Sequence, residues 1–337
     1  MQNLNHDWLK QHGVFLPQAV GLLEDADYNL AMDAQSPLIT VNNAGIPSFL
    51  TTVVDPRLIT VLTTPSKAAQ IAVEQKQGDW TTKTAVFKMA ELTGEVTSYG
   101  DFSESGSANA NYQFVNRQSY LFQTVTQWGA LELDTASQAQ LNYAADLNTS
   151  SALVLSKYLN KTYFFGVSGL ANYGLLNDPS LTAPIAPATK VAGGVTWAVA
   201  TADEIYKDVQ LLFAQLVLQT KGIVERDAPM VLALSPEMEA SLIKTNVYGL
   251  NVLELIKTSF QNIKIVSAVQ YATVGGQLAQ LIATSIDGVD TVNVAYNEKM
   301  RAHAVIPTVS GWKQKKTSGT WGAIIRYPVA IAGMLGM

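Results

Sequence analysis

Ser241 and Lys244 stand one helical turn apart, and Lys316-Thr317-Ser318-Gly319 follows downstream. A serine with a lysine one turn away, plus a later K-T-G strand, is the arrangement in which the lysine helps strip the serine of its proton for acyl transfer. The S-x-N element that completes such sites is missing between them. The interval is also too short for the helical domain usually placed there. A serine acyl-transfer site at Ser241 and Lys244 therefore stays a motif without its context, carried as an alternative. The three histidines, His6, His12 and His303, do not pair, and H-E-x-x-H is absent. A lone histidine in the strand-like Arg301–Pro307 stretch is more often a packed residue than a ligand. Neither a G-x-x-x-x-G-K-[ST] loop nor a G-x-G-x-x-G turn occurs, and Gly166-Val-Ser-Gly169 lacks the spacing of a nucleophile elbow. No catalytic residue, cofactor or metal is expected.

Composition points the same way. Of 337 residues, 48% are hydrophobic, enough for a sizeable core, but only 15% are charged, against roughly 25% in an average globular chain. Either the surface is polar and neutral, or much of it meets other subunits, since interface cores are poor in charge. The formal net charge of −5 does not suit a sequence-specific nucleic-acid binder. The densest basic run, Lys313–Lys316, reads as a solvated hairpin loop. The chain has no cysteine, which removes disulfides and thiolate chemistry. MQNLNHDWLK does not read as a secretory leader, and no apolar run approaches the ~18 residues of a membrane helix.

Elements that could position such residues fall in an unusual order. Residues 1–70, punctuated by Pro17, Pro37, Pro47, Pro56 and Pro65, favour extended structure and read as an arm. Two strand-like runs follow, Thr82–Leu92 and Tyr112–Leu131, joined by the small polar stretch GDFSESGSANANYQF. In the second run Tyr120, Phe122, Thr124, Thr126 and Trp128 alternate onto one face. As one strand it would reach on the order of 66 Å at ~3.3 Å per residue. A two-stranded ribbon is marginal in water and has open edges, so it needs support from a second sheet or from other copies. Lys83, Lys88, Glu91, Glu95, Asp101, Glu104 and Arg117 lie on or near it and, with Tyr120 and Phe122, are the candidate intersubunit contacts.

Next comes a long helix from Asp134 or Thr135 to Gly166, with Thr135 and Gln138 at capping-box spacing. Residues 169–197 read as loop. Thr201 and Glu204 form a second capping box ahead of a helix closed by Gly222. APMVLAL reads as a buried strand, Ser235-Pro236 as a helix start, GLNVLELIKTSF as a helix, and IKIVSAV and QLAQLIATS as strands. The tail reads as strands around a GWKQKKTSGTW turn. Helices and strands mix without regular alternation, so the class is α+β.

This order, with the GLLNDP turn at 174–179 and the run from Ala228 to Val269, resembles the major capsid proteins of tailed bacteriophages, which share the Hong Kong 97-like fold. The resemblance implies an N-terminal arm (1–70), an extended loop (71–133), a peripheral domain with a spine helix (134–200), an axial domain (201–297) and strands returning to the peripheral domain (298–337). It implies self-assembly as pentamers and hexamers into an icosahedral shell around double-stranded DNA, held without sequence specificity and built in the host bacterial cytoplasm. Portal, scaffolding and decoration proteins would be partners, with scaffolding supplied separately or by a removed piece. An encapsulin-type compartment is the alternative of similar architecture. Some relatives join subunits by Lys–Asn isopeptide bonds; no motif here locates a partner for Lys83 or Lys88.

Overall fold

Among the described residues strands outnumber helices, because β-branched and aromatic residues recur with period two and proline is rare inside those runs. The computed structural model describes residues 66–102, 104–139 and 141–337. The arm expected over 1–70 lies outside the described residues except at 66–70. In chain order the elements are α1 (Ala68–Ile71), β1 (Val73–Lys76), β2 (Thr84–Glu95), β3 (Ser107–Gln118), β4 (Tyr120–Gly129), α2 (Ala130–Gln138) and α3 (Tyr143–Phe165). They continue with α4 (Ala202–Gln219), β5 (Met230–Leu234), α5 (Pro236–Ser241), α6 (Val252–Ser259), β6 (Ile263–Ser267), β7 (Ala272–Thr273) and β8 (Gly276–Ala283). The chain closes with β9 (Ser285–Ile286), β10 (Val289–Asp290), β11 (Val292–Thr308), β12 (Gly311–Ile325) and β13 (Ile331–Leu335). The fold is mixed α+β.

One sheet is ordered β1-β11-β12-β4, with β1 parallel to β11 and the other pairs antiparallel. Helix α3 covers one of its faces. Phe122 of β4 meets Tyr158 of α3 with ring centroids 4.6 Å apart. Thr162 Oγ1 donates to Thr320 Oγ1 at 3.0 Å. Lys316 Nζ donates to Asn148 Oδ1 and to Ser151 Oγ, each at 2.6 Å. Burial lowers the pKa of that ammonium, because desolvation penalises its charged form.

The second sheet runs β13-β8-β5-β6. Every residue of β5 is buried, as an all-apolar strand requires. Its alternation feeds two cores. Met230, Leu232 and Leu234 join Ile205, Val209, Leu212 and Leu216 of α4, while Val231 and Ala233 join Phe164, Leu175 and Tyr271. Helix α4 begins at the expected capping box: Glu204 N donates to Thr201 Oγ1, and Thr201 N donates to Glu204 Oε2 at 2.8 Å. The Thr201 and Val191 N–H groups, both donating to its carboxylate, lower the pKa of Glu204. Ser235 caps α5 and Asn251 caps α6. The loop from Gly166 to Thr201 is pinned by Lys190, whose Nζ meets Asp208 Oδ2 at 2.5 Å with both side chains buried; Trp197 Nε1 donates to the same oxygen at 2.8 Å. Gly322, at φ +72°, lets this loop approach β12, since a Cβ there would sit 2.2 Å from Tyr173 O.

Three readings of the sequence need correction. The strand expected from Tyr112 to Leu131 divides at Ser119, where the chain leaves β2 and joins β12. Alternation runs unbroken through a change of partner, so periodicity does not see it. The helix expected from residue 134 or 135 to Gly166 is two helices, α2 ending at Gln138 and α3 beginning at Tyr143. Thr135 lies inside α2 and bonds back to Leu131 O, and Glu132 receives the Gly129 N–H at 3.0 Å instead. The tail's turn is at Val309–Ser310, and GWKQKKTSGTW is strand β12. Lys313–Lys316 is therefore not a loop, and Lys316 is buried.

Candidate assembly surface: the ribbon and its root

β2 and β3 pair along their whole length, from Thr84 opposite Gln118 to Glu95 opposite Ser107, with no third strand among the described residues. The described residues cover the base of this ribbon. Ala85 and Phe87 pack against the buried cluster of Ala295, Trp321 and Ile324. Further out, Val86, Tyr112 and Phe114 are more than half exposed, and Val96, Tyr99 and Phe102 at the tip are almost fully so. Apolar side chains held in water on a two-stranded ribbon make it a candidate contact surface.

The root is held by polar locks. Arg117 Nη2 meets Asp178 Oδ2 at 2.6 Å with both side chains buried, and the guanidinium lies over the Tyr173 ring. Asp178 Oδ1 also accepts from Ser180 N and Oγ. Gln118 N donates to Ala171 O, and Ser119 N to Lys83 O, both at 2.9 Å. Asn297 Nδ2 and Ser119 Oγ both donate to Thr82 O.

The expected contact residues thus fall into two groups. Lys83, Lys88, Glu91, Glu95, Asp101 and Glu104 are exposed on the ribbon or its tip. Lys88 Nζ lies 3.8 Å from the Tyr112 ring centroid. Arg117, Tyr120 and Phe122 are used within the chain, Arg117 at the root lock and the two aromatics against Tyr158. Sequence reasoning missed Asp178, Tyr173 and Tyr158. The GLLNDP turn was conspicuous, but nothing local ties it to Arg117.

The Ser241–Lys244 motif is not assembled as an acyl-transfer dyad. Lys244 Nζ donates to the carbonyls of Trp197, Ala198 and Ala200, each at 2.8 Å, and Ser241 Oγ to Glu237 O at 3.2 Å. The ammonium secures the loop before α4 and has no N–H left for a serine. His303 Nε2 pairs with Thr317 Oγ1 at 3.0 Å and its ring meets Trp80 edge-on. Among the described residues no group of three or more His, Asp or Glu is placed to hold a metal, and no helix is long and apolar enough to cross a membrane.

Comparison with known proteins decides what this surface belongs to. The model of the Pa193 gp26 major capsid protein family matches residues 37–336. The chain belongs to that family. It is a major capsid protein, a component of the phage head shell and so of the virion; its family is structural and not enzymatic. That membership favours the phage shell over the cargo compartment. No curated protein sequence matches. Among solved structures, the capsid protein is similar to the capsid of Myoviridae phage XM1, at 14% identity, TM-score 0.72, covering 87% of this chain and 99% of that one. It is similar to the capsid of a native GTA particle, at 9% identity, TM-score 0.62, covering 87% and 97%. Mycobacterium phage Ogopogo gives 13% identity, TM-score 0.56, covering 89% and 99%. At such identities the likeness is one of fold, and that fold is Hong Kong 97-like.

Proposed function

We propose that this capsid protein closes into an icosahedral shell of pentamers and hexamers around phage DNA, and that its ribbon and N-terminal arm rest on neighbouring copies. The observation that carries the ribbon's role is its exposed apolar outer half beyond a base locked by Phe87 and Arg117. In this reading residues 1–70 are the arm and 71–133 the extended loop. Residues 134–200 and 298–337 make the peripheral domain, with α3 as its spine, and 201–297 the axial domain. Strand β4 bridges loop and peripheral domain, being hydrogen-bonded to β12. DNA is contained without being read, in keeping with a formal net charge of −5. Portal, scaffolding and decoration proteins complete the partners.

The test is deletion of Asp101–Asn111. The shortened chain is expected to fold, with a far-UV circular dichroism spectrum close to wild type, and to yield no closed particles by negative-stain microscopy. Normal particles from it would sink the reading.

A further inference from the structure

Strand β4 forms an edge of the sheet β1-β11-β12-β4 and, among the described residues, pairs with β12 alone. Edge strands are commonly blunted by charge, proline or short length. β4 is ten residues long, YLFQTVTQWG, with neither charge nor proline. Its backbone groups have a fixed direction. Ala130 N donates to Ser310 O, on the β12 side, at 2.9 Å, and neighbouring residues of a strand bond toward opposite edges. Even-numbered residues of β4 therefore bond to β12. Leu121, Gln123, Val125 and Gln127 turn their N–H and C=O groups outward, where none finds a partner among the described residues. Side chains divide the same way: Phe122 meets Tyr158 of α3, while Val125 is 51% exposed on the face that α3 leaves open.

The outward edge is also self-complementary. Phe122 to Trp128 reads FQTVTQW, a palindrome about Val125 apart from the exchange of one aromatic ring for another. We infer that β4 of one copy pairs antiparallel with β4 of a second copy across a two-fold axis at Val125, so that two four-stranded sheets become one continuous sheet. In that register Phe122 stands opposite Trp128, Gln123 opposite Gln127, Thr124 opposite Thr126 and Val125 opposite itself. Like meets like on both faces, the pairing that steadies antiparallel strands. On the order of six backbone hydrogen bonds form, from Gln123, Val125 and Gln127 of each copy. Moving the axis to Thr124 would set Gln123 against Val125 and Phe122 against Thr126. The absence of charge fits as well. A two-fold axis brings each residue beside it face to face with its own copy, where any charge would be repelled. A foreign strand would ask for no palindrome. The inference rests on the reading that copies of this chain assemble, but not on the ribbon's role, and it adds a contact that needs neither ribbon nor arm.

A single thiol in the full chain tests the register, because the protein has no cysteine of its own. Val125→Cys places two Cα atoms about 5.5 Å apart across the axis, within disulfide reach. Mild oxidation at the concentration used for assembly is expected to convert most subunits to dimers on a non-reducing gel. A short bis-maleimide gives the same readout without the demands of disulfide geometry. Leu121→Cys is the control. Its copy lies eight residues away along the paired strands, about 26 Å at ~3.3 Å per residue, and it is expected to stay monomeric. Val125→Pro removes the central outward N–H and spares the bonds to β12, since proline is tolerated on a sheet edge. Losing the two central hydrogen bonds is expected to cut particle yield about tenfold or more, with thermal unfolding of the free subunit close to wild type. Absence of Val125→Cys dimers would overturn the pairing, as would equal cross-linking at Leu121→Cys, or a folded Val125→Pro chain that assembles at wild-type yield. If Val125→Pro prevents folding, the cross-linking decides alone. Dimers from Val125→Cys in a chain that never closes into particles would keep the pairing and sink the shell reading. Particles without those dimers would do the reverse.

Discussion

Arg117 and Asp178 form a buried ion pair, Nη2 to Oδ2 at 2.6 Å, between the root end of β3 and a loop sixty-one residues on. It is the point at which an exposed ribbon is tied to a packed body. Removing one member leaves the other charge buried and uncompensated.

Asp178→Ala is accordingly expected to lower subunit stability by about 3–5 kcal/mol, read from urea unfolding. Arg117→Met combined with Asp178→Leu removes both charges and is expected to recover only part of that loss. Ser180 N, which donates to Asp178 at 2.9 Å, stays without its acceptor. Equal stability of the single variant and wild type would mean that the pair does not anchor the root.

Lys316 makes stability rise with pH in a defined window. Its folded pKa is lowered by burial, so between that value and the unfolded value near 10.4 the unfolded chain binds more protons than the folded one. Stability contributed through this group therefore increases as pH climbs through the window. Lys316→Met lacks that dependence. The difference in unfolding free energy, wild type minus variant, is expected to grow from pH 7 to pH 10; a flat difference would refute the assignment.

Tyr271 acts with the opposite sign. Burial holds its phenol pKa well above the usual value, so above about pH 10 the unfolded chain loses a proton that the folded chain keeps, and stability falls. Tyr271→Phe abolishes that contribution. It also deprives Gln280 Oε1 of a hydrogen bond at 2.9 Å, at a cost of about 1–3 kcal/mol near neutral pH. The variant is expected to be weaker at pH 7 and to decline less steeply above pH 10, read from urea midpoints. Tyr163, raised by burial and by Glu74 beside it, leaves part of the alkaline decline in place.

Ser241 and Lys244 are expected to separate cleanly. Ser241→Ala, which removes one bond to Glu237 O, is expected to stay within about 0.5 kcal/mol of wild type. Lys244→Met strips three carbonyls of their shared donor and is expected to cost about 1.5–3 kcal/mol. Labelling of Ser241 by a fluorescent β-lactam would contradict the structural role.

Much of this molecule was readable from local pattern. Thr201 with Glu204, Ser235 with Pro236, the all-apolar Met230–Leu234 and the ribbon's polar tip each carry their signal within a few residues. The misplaced helix start is local, set by Gly129 and Glu132, but the other errors fell where a partner is distant. Ser119 marks a change from β2 to β12, and Lys316 turns inward because Asn148 and Ser151 wait on α3. Neither partner leaves a trace in neighbouring residues. The same holds for the ribbon and its root: that Arg117, Tyr120 and Phe122 turn back into the chain depends on Asp178 and Tyr158, far along the sequence.

By itself the sequence determined the α+β class, the order of its elements, the ribbon and the absence of thiol chemistry, because capping, period and composition act between near neighbours. Only the tertiary structure decided which strands share a sheet, which lysines are buried and which face of β4 and β12 stays open. Those outcomes depend on desolvation and hydrogen bonding between segments far apart in the chain, and no short-range pattern encodes them.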